Sequence, residues 1–212
     1  MFRRKVFAVV LLAMVIGTFA SPARASADDA ALLSKQDLQL ALRELWTGHV
    51  FWVRSVVVAT HYDDTAAADA AEKKAVENAR ALADAIVPLY GQEAADALFE
   101  LLAGHYGGIK AYMEATFADN AGGQKKAAGE INANAEAIAD FLDGANPNLP
   151  KNVVLPLLAA HGGHHIQQIK SIHEGDFANE AIVWDAMLTH IHAIGDAMAA
   201  AFAAQFPDKI AG

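Results

Sequence analysis

One eight-residue segment recurs twice at a fixed interval, and this constrains the fold more than any other feature of the chain. Leu42-Arg-Glu-Leu-Trp-Thr-Gly-His49 aligns with Leu98-Phe-Glu-Leu-Leu-Ala-Gly-His105, and Val154-Leu-Pro-Leu-Leu-Ala-Ala-His161 aligns with both. The interval is 56 residues each time. A second block recurs with the same period: Asn78-Ala-Arg-Ala-Leu-Ala-Asp84-Ala-Ile86, Asn134-Ala-Glu-Ala-Ile-Ala-Asp140-Phe-Leu142 and His190-Ile-His-Ala-Ile-Gly-Asp196-Ala-Met198. A chain with such self-similarity is expected to stack three copies of one supersecondary unit. The segments are rich in Ala, Leu and Ile at helical spacing, and β-branched runs hardly occur outside Val56 to Val58, so the unit is helical.

Turn chemistry divides the chain further. Asp63-Asp64, Gly91, Asn120 with Gly122-Gly123, Asn146-Pro147 to Pro150, and Gly175-Asp176 are the breakers. They leave six helices of about 20 to 29 residues, the first opened by Ser34 and Asp37 in the manner of a capping box. The expected fold is all-α: an up-down bundle of three tandem hairpins at about 34–90, 91–146 and 147–206. In an antiparallel pair, residues equidistant from the turn lie at one height. The two blocks of each hairpin straddle its turn symmetrically. His49, Asn78, His105, Asn134, His161 and His190 are therefore expected in one layer, about 20 Å from either end of the bundle. Leu45, Leu101 and Leu157 precede the first-helix histidines by four residues and share their faces. The imidazoles should thus point inward.

That layer gives meaning to a composition of His 9 and Cys 0. Several imidazoles without thiolates suit Cu, Zn, Ni or Fe, and bundle cores commonly hold such ions. The expected metal ligands are His49, His105, His161 and His190, with His165 auxiliary because it lies one helical turn from His161. A non-covalent haem between two facing histidines is the other cofactor this layer could serve. The competing reading is a structural or interaction module. An Asn amide can satisfy both nitrogens of a buried imidazole, and a polar layer can fix helix register. Asn78 and Asn134 are accordingly either register partners or lining of a cofactor site. Trp46, Phe51 and Trp52 are core aromatics or pocket walls, and Arg54 pairs with an acid or holds an anionic ligand. Gly107-Gly108 and Gly162-Gly163 fit close helix packing or room for a flat ligand. An enzyme is a third possibility, since a His-ligated metal with an open position can do redox or hydrolytic work. His61, His173 and His192 look peripheral.

Other chemistries lack a seat. The sequence contains no Glu-x-x-His, His-Glu-x-x-His or Cys-x-x-Cys-His, and neither a Gly-x-Gly-x-x-Gly nor a Walker loop. A formal charge of -9 disfavours nucleic acid as a partner. At the N-terminus, Arg3, Arg4 and Lys5 precede an apolar run from Val6 to Ala20, then Ser21-Pro22 and Ala25-Ser26-Ala27. This reads as a signal peptide over residues 1–27, whose apolar run is shorter than the roughly 20 residues a membrane-spanning helix needs. Residues 28–212 would then be one exported domain, periplasmic or secreted, with a net charge of -13 after loss of Arg3, Arg4, Lys5 and Arg24. The lack of cysteine fits an oxidising compartment. The expected partner is a metal ion or small ligand, with no membrane association after cleavage.

Several motifs resemble those of a family of bacterial helical-bundle proteins. They are Leu45-Trp46 with His49-Val50, Trp52 and Arg54; Asn78 to Gly91, ending Pro88-Leu89-Tyr90-Gly91; Phe141-Leu142 before Asn146-Pro147; and Gln205-Phe206-Pro207-Asp208-Lys209. The family pattern often has Tyr at the position of Leu89 and Trp at that of Leu149. The resemblance implies the bundle fold over nearly all of residues 28–212. Some members are described as glycosyltransferases or acetylglutamate kinases, activities for which these residues supply no phosphate-binding loop.

Overall fold

Local capping explains why the helices begin and end where they do. In a computed structural model describing residues 33–211, the long helices are α1 (Lys35–His61), α2 (Thr65–Asp84), α4 (Gln92–Phe117), α5 (Ala121–Ala145), α6 (Lys151–His173) and α7 (Phe177–Gln205), with a single turn α3 (Val87–Tyr90) between α2 and α4. The expected signal peptide lies outside the described residues. The Ser34 hydroxyl accepts the Asp37 amide at 3.0 Å. The second helix of each hairpin starts alike: Asp64, Asn120 and Asp176 accept the amides of Ala67, Gly123 and Asn179, each at 3.0 Å. Before each cap stands a residue at positive φ: Asp63 at 58°, Asp119 at 50° and Gly175 at 70°. Asp tolerates this left-handed region better than most residues and Gly enters it freely, so the turns inside the three hairpins use one geometry.

The fold is an all-α bundle. α1 packs on α2, α4 on α5 and α6 on α7; the ring closes through α2 on α4, α5 on α6 and α7 on α1. The first helices α1, α4 and α6 also meet one another near the centre. Ion pairs bridge each junction between hairpins: Arg43–Asp196 and Arg54–Glu180 for α1 and α7, Arg80–Asp96 and Lys110–Glu72 for α2 and α4, and Lys151–Asp140 for α5 and α6.

Two apolar clusters fill the interior. One contains Leu42, Val50, Leu98, Leu102, Ile138, Leu158, Met187 and Ile191, and the other Val53, Val57, Ile109, Tyr112, Ile131, Ile169 and Ile172. Along α1, α4 and α6 the change from one cluster to the other falls at the histidines. Beyond the first cluster the bundle is tied at one end. Tyr90 Oη donates to Gln205 Oε1 (2.5 Å), Asn146 Nδ2 to Tyr90 Oη (2.9 Å), and Lys209 Nζ to the Pro88 carbonyl (2.7 Å). The motifs Pro88 to Gly91, Asn146-Pro147 and Gln205 to Lys209 thus have a shared structural task. A two-residue parallel pairing of β1 (Leu33–Ser34) with β2 (Ile210–Ala211) adjoins the same end. Among the described residues no helix is long and apolar enough to cross a membrane.

Candidate metal centre

Because α1, α4 and α6 converge, equivalent positions on the three helices converge too. His49, His105 and His161 are 4%, 5% and 2% exposed, and His165, one turn along α6, is 1% exposed. The His161 and His165 ring centroids are 4.5 Å apart, and their Nε2 atoms 3.2 Å. His49 lies 5.6 Å from His161 and 5.8 Å from His165, centroid to centroid. One nitrogen from each of His49, His161 and His165 falls within 4.8 Å of the others. His105 stacks on His161 at 5.5 Å and 24°. The Trp46 ring meets His49 and His161 edge-on.

The surroundings hold these rings neutral. Loss of hydration pushes His49 down to about 3, helped by the nearby His105, and pushes His105 down to about 4. His161 and His165 are held well below the ordinary imidazole range by the same desolvation and by one another. Neutral imidazoles are the form that binds metals. Both nitrogens of His49, both of His105 and Nδ1 of His161 are buried with no hydrogen-bond partner. An unsatisfied buried polar group costs about 1–3 kcal/mol, so five at one place demand an explanation.

Asn78 and Asn134 do not supply it. The Asn78 Nδ2 donates to the Leu45 carbonyl and Asn134 Nδ2 to the Leu101 carbonyl, each at 3.0 Å. In the third hairpin His190 Nε2 donates to the Leu157 carbonyl at 2.8 Å. These side chains are interhelical clamps, reaching the main chain four residues before each first-helix histidine. The neighbouring glycines make room: a Cβ on Gly48 would lie 2.9 Å from Asn78 Nδ2, and one on Gly104 3.1 Å from Asn134 Nδ2. The expectation that Asn amides satisfy the rings is corrected accordingly. Asn134 Oδ1, like both nitrogens of His105, has no hydrogen-bond partner.

Comparison with protein-family profiles, with curated proteins and with solved structures finds no match.

His190 shares the height of the layer but not its centre. It sits half-buried against His164, with centroids 5.3 Å apart. Arg54 donates from Nε and Nη2 to Glu180 at 2.6 and 2.8 Å, so its partner is an acid, as one of the two expectations held. Trp52 is half-buried, packs against the second cluster and meets Phe51 edge-on. The glycine pairs serve close packing: Cβ atoms on Gly108 and Gly162 would each come within 3.0 Å of the Ile131 side chain, which α5 inserts between them. Gly107 and Gly163 have open space at that position. Two features escaped the sequence. Gln168 and Glu180, both buried, form a polar pair 3.1 Å apart that Arg54 completes. An apolar cavity of about 50 Å³ also adjoins the rings of His49, His105 and His161, walled by residues such as Leu98, Leu158 and Met198.

Proposed function

We propose that this protein binds a divalent transition ion, Cu(II), Zn(II), Ni(II) or Fe(II), through His49, His161 and His165, with His105 beside them as a fourth ligand. The observation that carries this reading is the convergence of buried rings: both nitrogens of His49 and of His105 and Nδ1 of His161 have no partner, and His161 Nε2 and His165 Nε2 are hydrogen-bonded only to each other. Imidazole–metal bonds of about 2.0–2.1 Å put two nitrogens of a tetrahedral site roughly 3.3 Å apart. His161 and His165 already stand at 3.2 Å. Drawing His49 inward from the 4.8 Å limit needs a shift of about 1.5 Å, within the reach of a small ring rotation.

The space suits an ion better than a haem. The adjoining cavity of about 50 Å³ has room for a water-sized guest and would have to be rebuilt for a porphyrin. The purely structural layer is also less favoured, because the amides it needs are spent on main-chain carbonyls. The signal-like segment Arg3 to Ala27 supports loading outside the cytoplasm.

The test is a titration of metal-free protein with Co(II), Zn(II), Cu(II) and Ni(II), followed by calorimetry and, for Co(II), visible absorption. One tight equivalent is expected, with the intense bands of tetrahedral cobalt, and His161→Leu should abolish it. Less than about a tenth of an equivalent of every ion, with no gain in thermal stability, would refute the proposal.

A further inference from the structure

Beside departures such as His192, the third hairpin carries His164, His165 and His190 where the other two hairpins have no histidine, and only one of these three enters the buried triad. His165 stands where the other hairpins have Val53 and Ile109, and it joins His49 and His161. The other two departures meet each other. His164 replaces the Trp52 and Gly108 of its counterparts, His190 replaces Asn78 and Asn134, and their rings are 5.3 Å apart, centre to centre. Both are half-buried, so solvent reaches them, unlike the four rings of the core.

Their hydrogen bonding fixes which atoms are free. His190 Nε2 donates to the Leu157 carbonyl, so in the neutral ring Nδ1 carries the lone pair. A histidine that gives its other N–H to a backbone carbonyl has the arrangement of a typical metal ligand, with its tautomer and orientation set. Asn at the same position makes the same bond and offers no such lone pair. The clamp therefore does not require histidine. His164 makes no side-chain hydrogen bond to any other described residue, and both its nitrogens are uncommitted. Two imidazoles sharing a tetrahedral ion have centroids roughly 5 Å apart, given the bond length above and the size of the ring. The observed spacing is that spacing.

We propose that His164 and His190 form a second, solvent-reachable two-imidazole site for the same class of divalent ion. Because His164 is the chain neighbour of His165, this is the site from which the buried triad loads. That second statement rests on the metal reading of the triad; the first does not.

The test uses full-length, metal-free protein titrated with Cu(II) and followed by electron paramagnetic resonance and stopped-flow mixing. Wild type should take a tight equivalent and a weaker one with a signature of two nitrogens. His190→Asn restores the residue that the other hairpins use and should fold normally. It should keep the tight equivalent, lose the weaker one, and load the buried site at least tenfold more slowly. His164→Gln should behave in the same way with the Leu157 clamp untouched. Binding curves and loading rates within twofold of wild type in both variants would overturn the proposal. If wild type shows no tight equivalent while a weak, His190-dependent signal persists, the surface site stands and the buried one falls.

Discussion

Acidification should destabilise the metal-free protein steeply, in a window that isolates the buried histidines. His49 and His105 have folded-state values of about 3 and about 4, against about 6.5 for an exposed imidazole. At pH 5 the unfolded chain therefore takes up nearly one proton at each ring and the folded chain almost none. Stability falls as pH drops whenever the unfolded state binds more protons. Each ring loses about 2 kcal/mol between pH 7.5 and 5, being 1.5 pH units at about 1.4 kcal/mol per unit, and the pair loses about 4 kcal/mol. His161, His165 and the half-buried His164 are shifted the same way and add to the slope. The loss begins near pH 6.5 and levels off once the folded rings titrate. Glu180 and Asp196, held below the usual carboxylate range by Arg54 and Arg43, lose their contribution only at lower pH, so they do not confuse the window. Urea unfolding followed by circular dichroism at pH 7.5, 6.5, 5.5 and 5.0, with chelator present, measures the effect. The double variant His49→Leu, His105→Leu should flatten the slope by a little under half, because His161, His165 and His164 still contribute. A wild-type change below about 1 kcal/mol over this range would show that the rings are not held neutral by burial, and the account of the layer would fail.

Other outcomes follow from the packing. Asn78→Ala should cost about 1 kcal/mol by removing the clamp on Leu45, and Gly48→Ala should also destabilise by forcing Asn78 away. In a double-mutant cycle the pair should cost clearly less than the sum of the singles, since both break one contact; additive costs would refute the coupling. Glu180→Gln should lower stability by about 2 kcal/mol in denaturant unfolding, because Arg54 and Gln168 lose a charged acceptor in a largely covered site. Gly162→Ala should destabilise through the 3.0 Å approach to Ile131 Cγ2, and in an Ile131→Ala background, which lacks that methyl, the added loss in a thermal melt should be smaller. Saturating metal should raise the unfolding free energy by about 4 kcal/mol at a thousandfold excess over Kd, and by less as pH falls.

What could be read from the sequence was whatever depends on local chemistry and on period. Asp64, Asn120 and Asp176 announce helix starts because an Asx side chain satisfies backbone amides three residues away, a property of a few consecutive residues. The height of His49, His105 and His161 follows from counting residues to a turn. Counting gives height and says little about direction around a helix. His190 shows the difference: it has the right level, but its ring turns into the seam of its own hairpin to meet Leu157. Asn78 and Asn134 misled for a related reason, since Gly48 and Gly104 expose main-chain carbonyls that no pattern of side chains reveals. The Arg54–Glu180 pair joins residues 126 positions apart and depends on how the first and third hairpins register. Only the assembled ring fixes that.

The parallel pairing of Leu33 with Ile210 makes the described chain nearly a circle that has been cut once. Gly91 and the segment Asn146 to Pro150 turn the chain at the same end of the bundle, between one hairpin and the next. A short linker from Ala211 back to Leu33 would let the cut move to either of them, giving circular permutants that begin with the second or the third hairpin. Each permutant would keep every interhelical clamp and the whole histidine cluster. Chain order would then be a matter of synthesis, and the ring of hairpins alone would define the molecule.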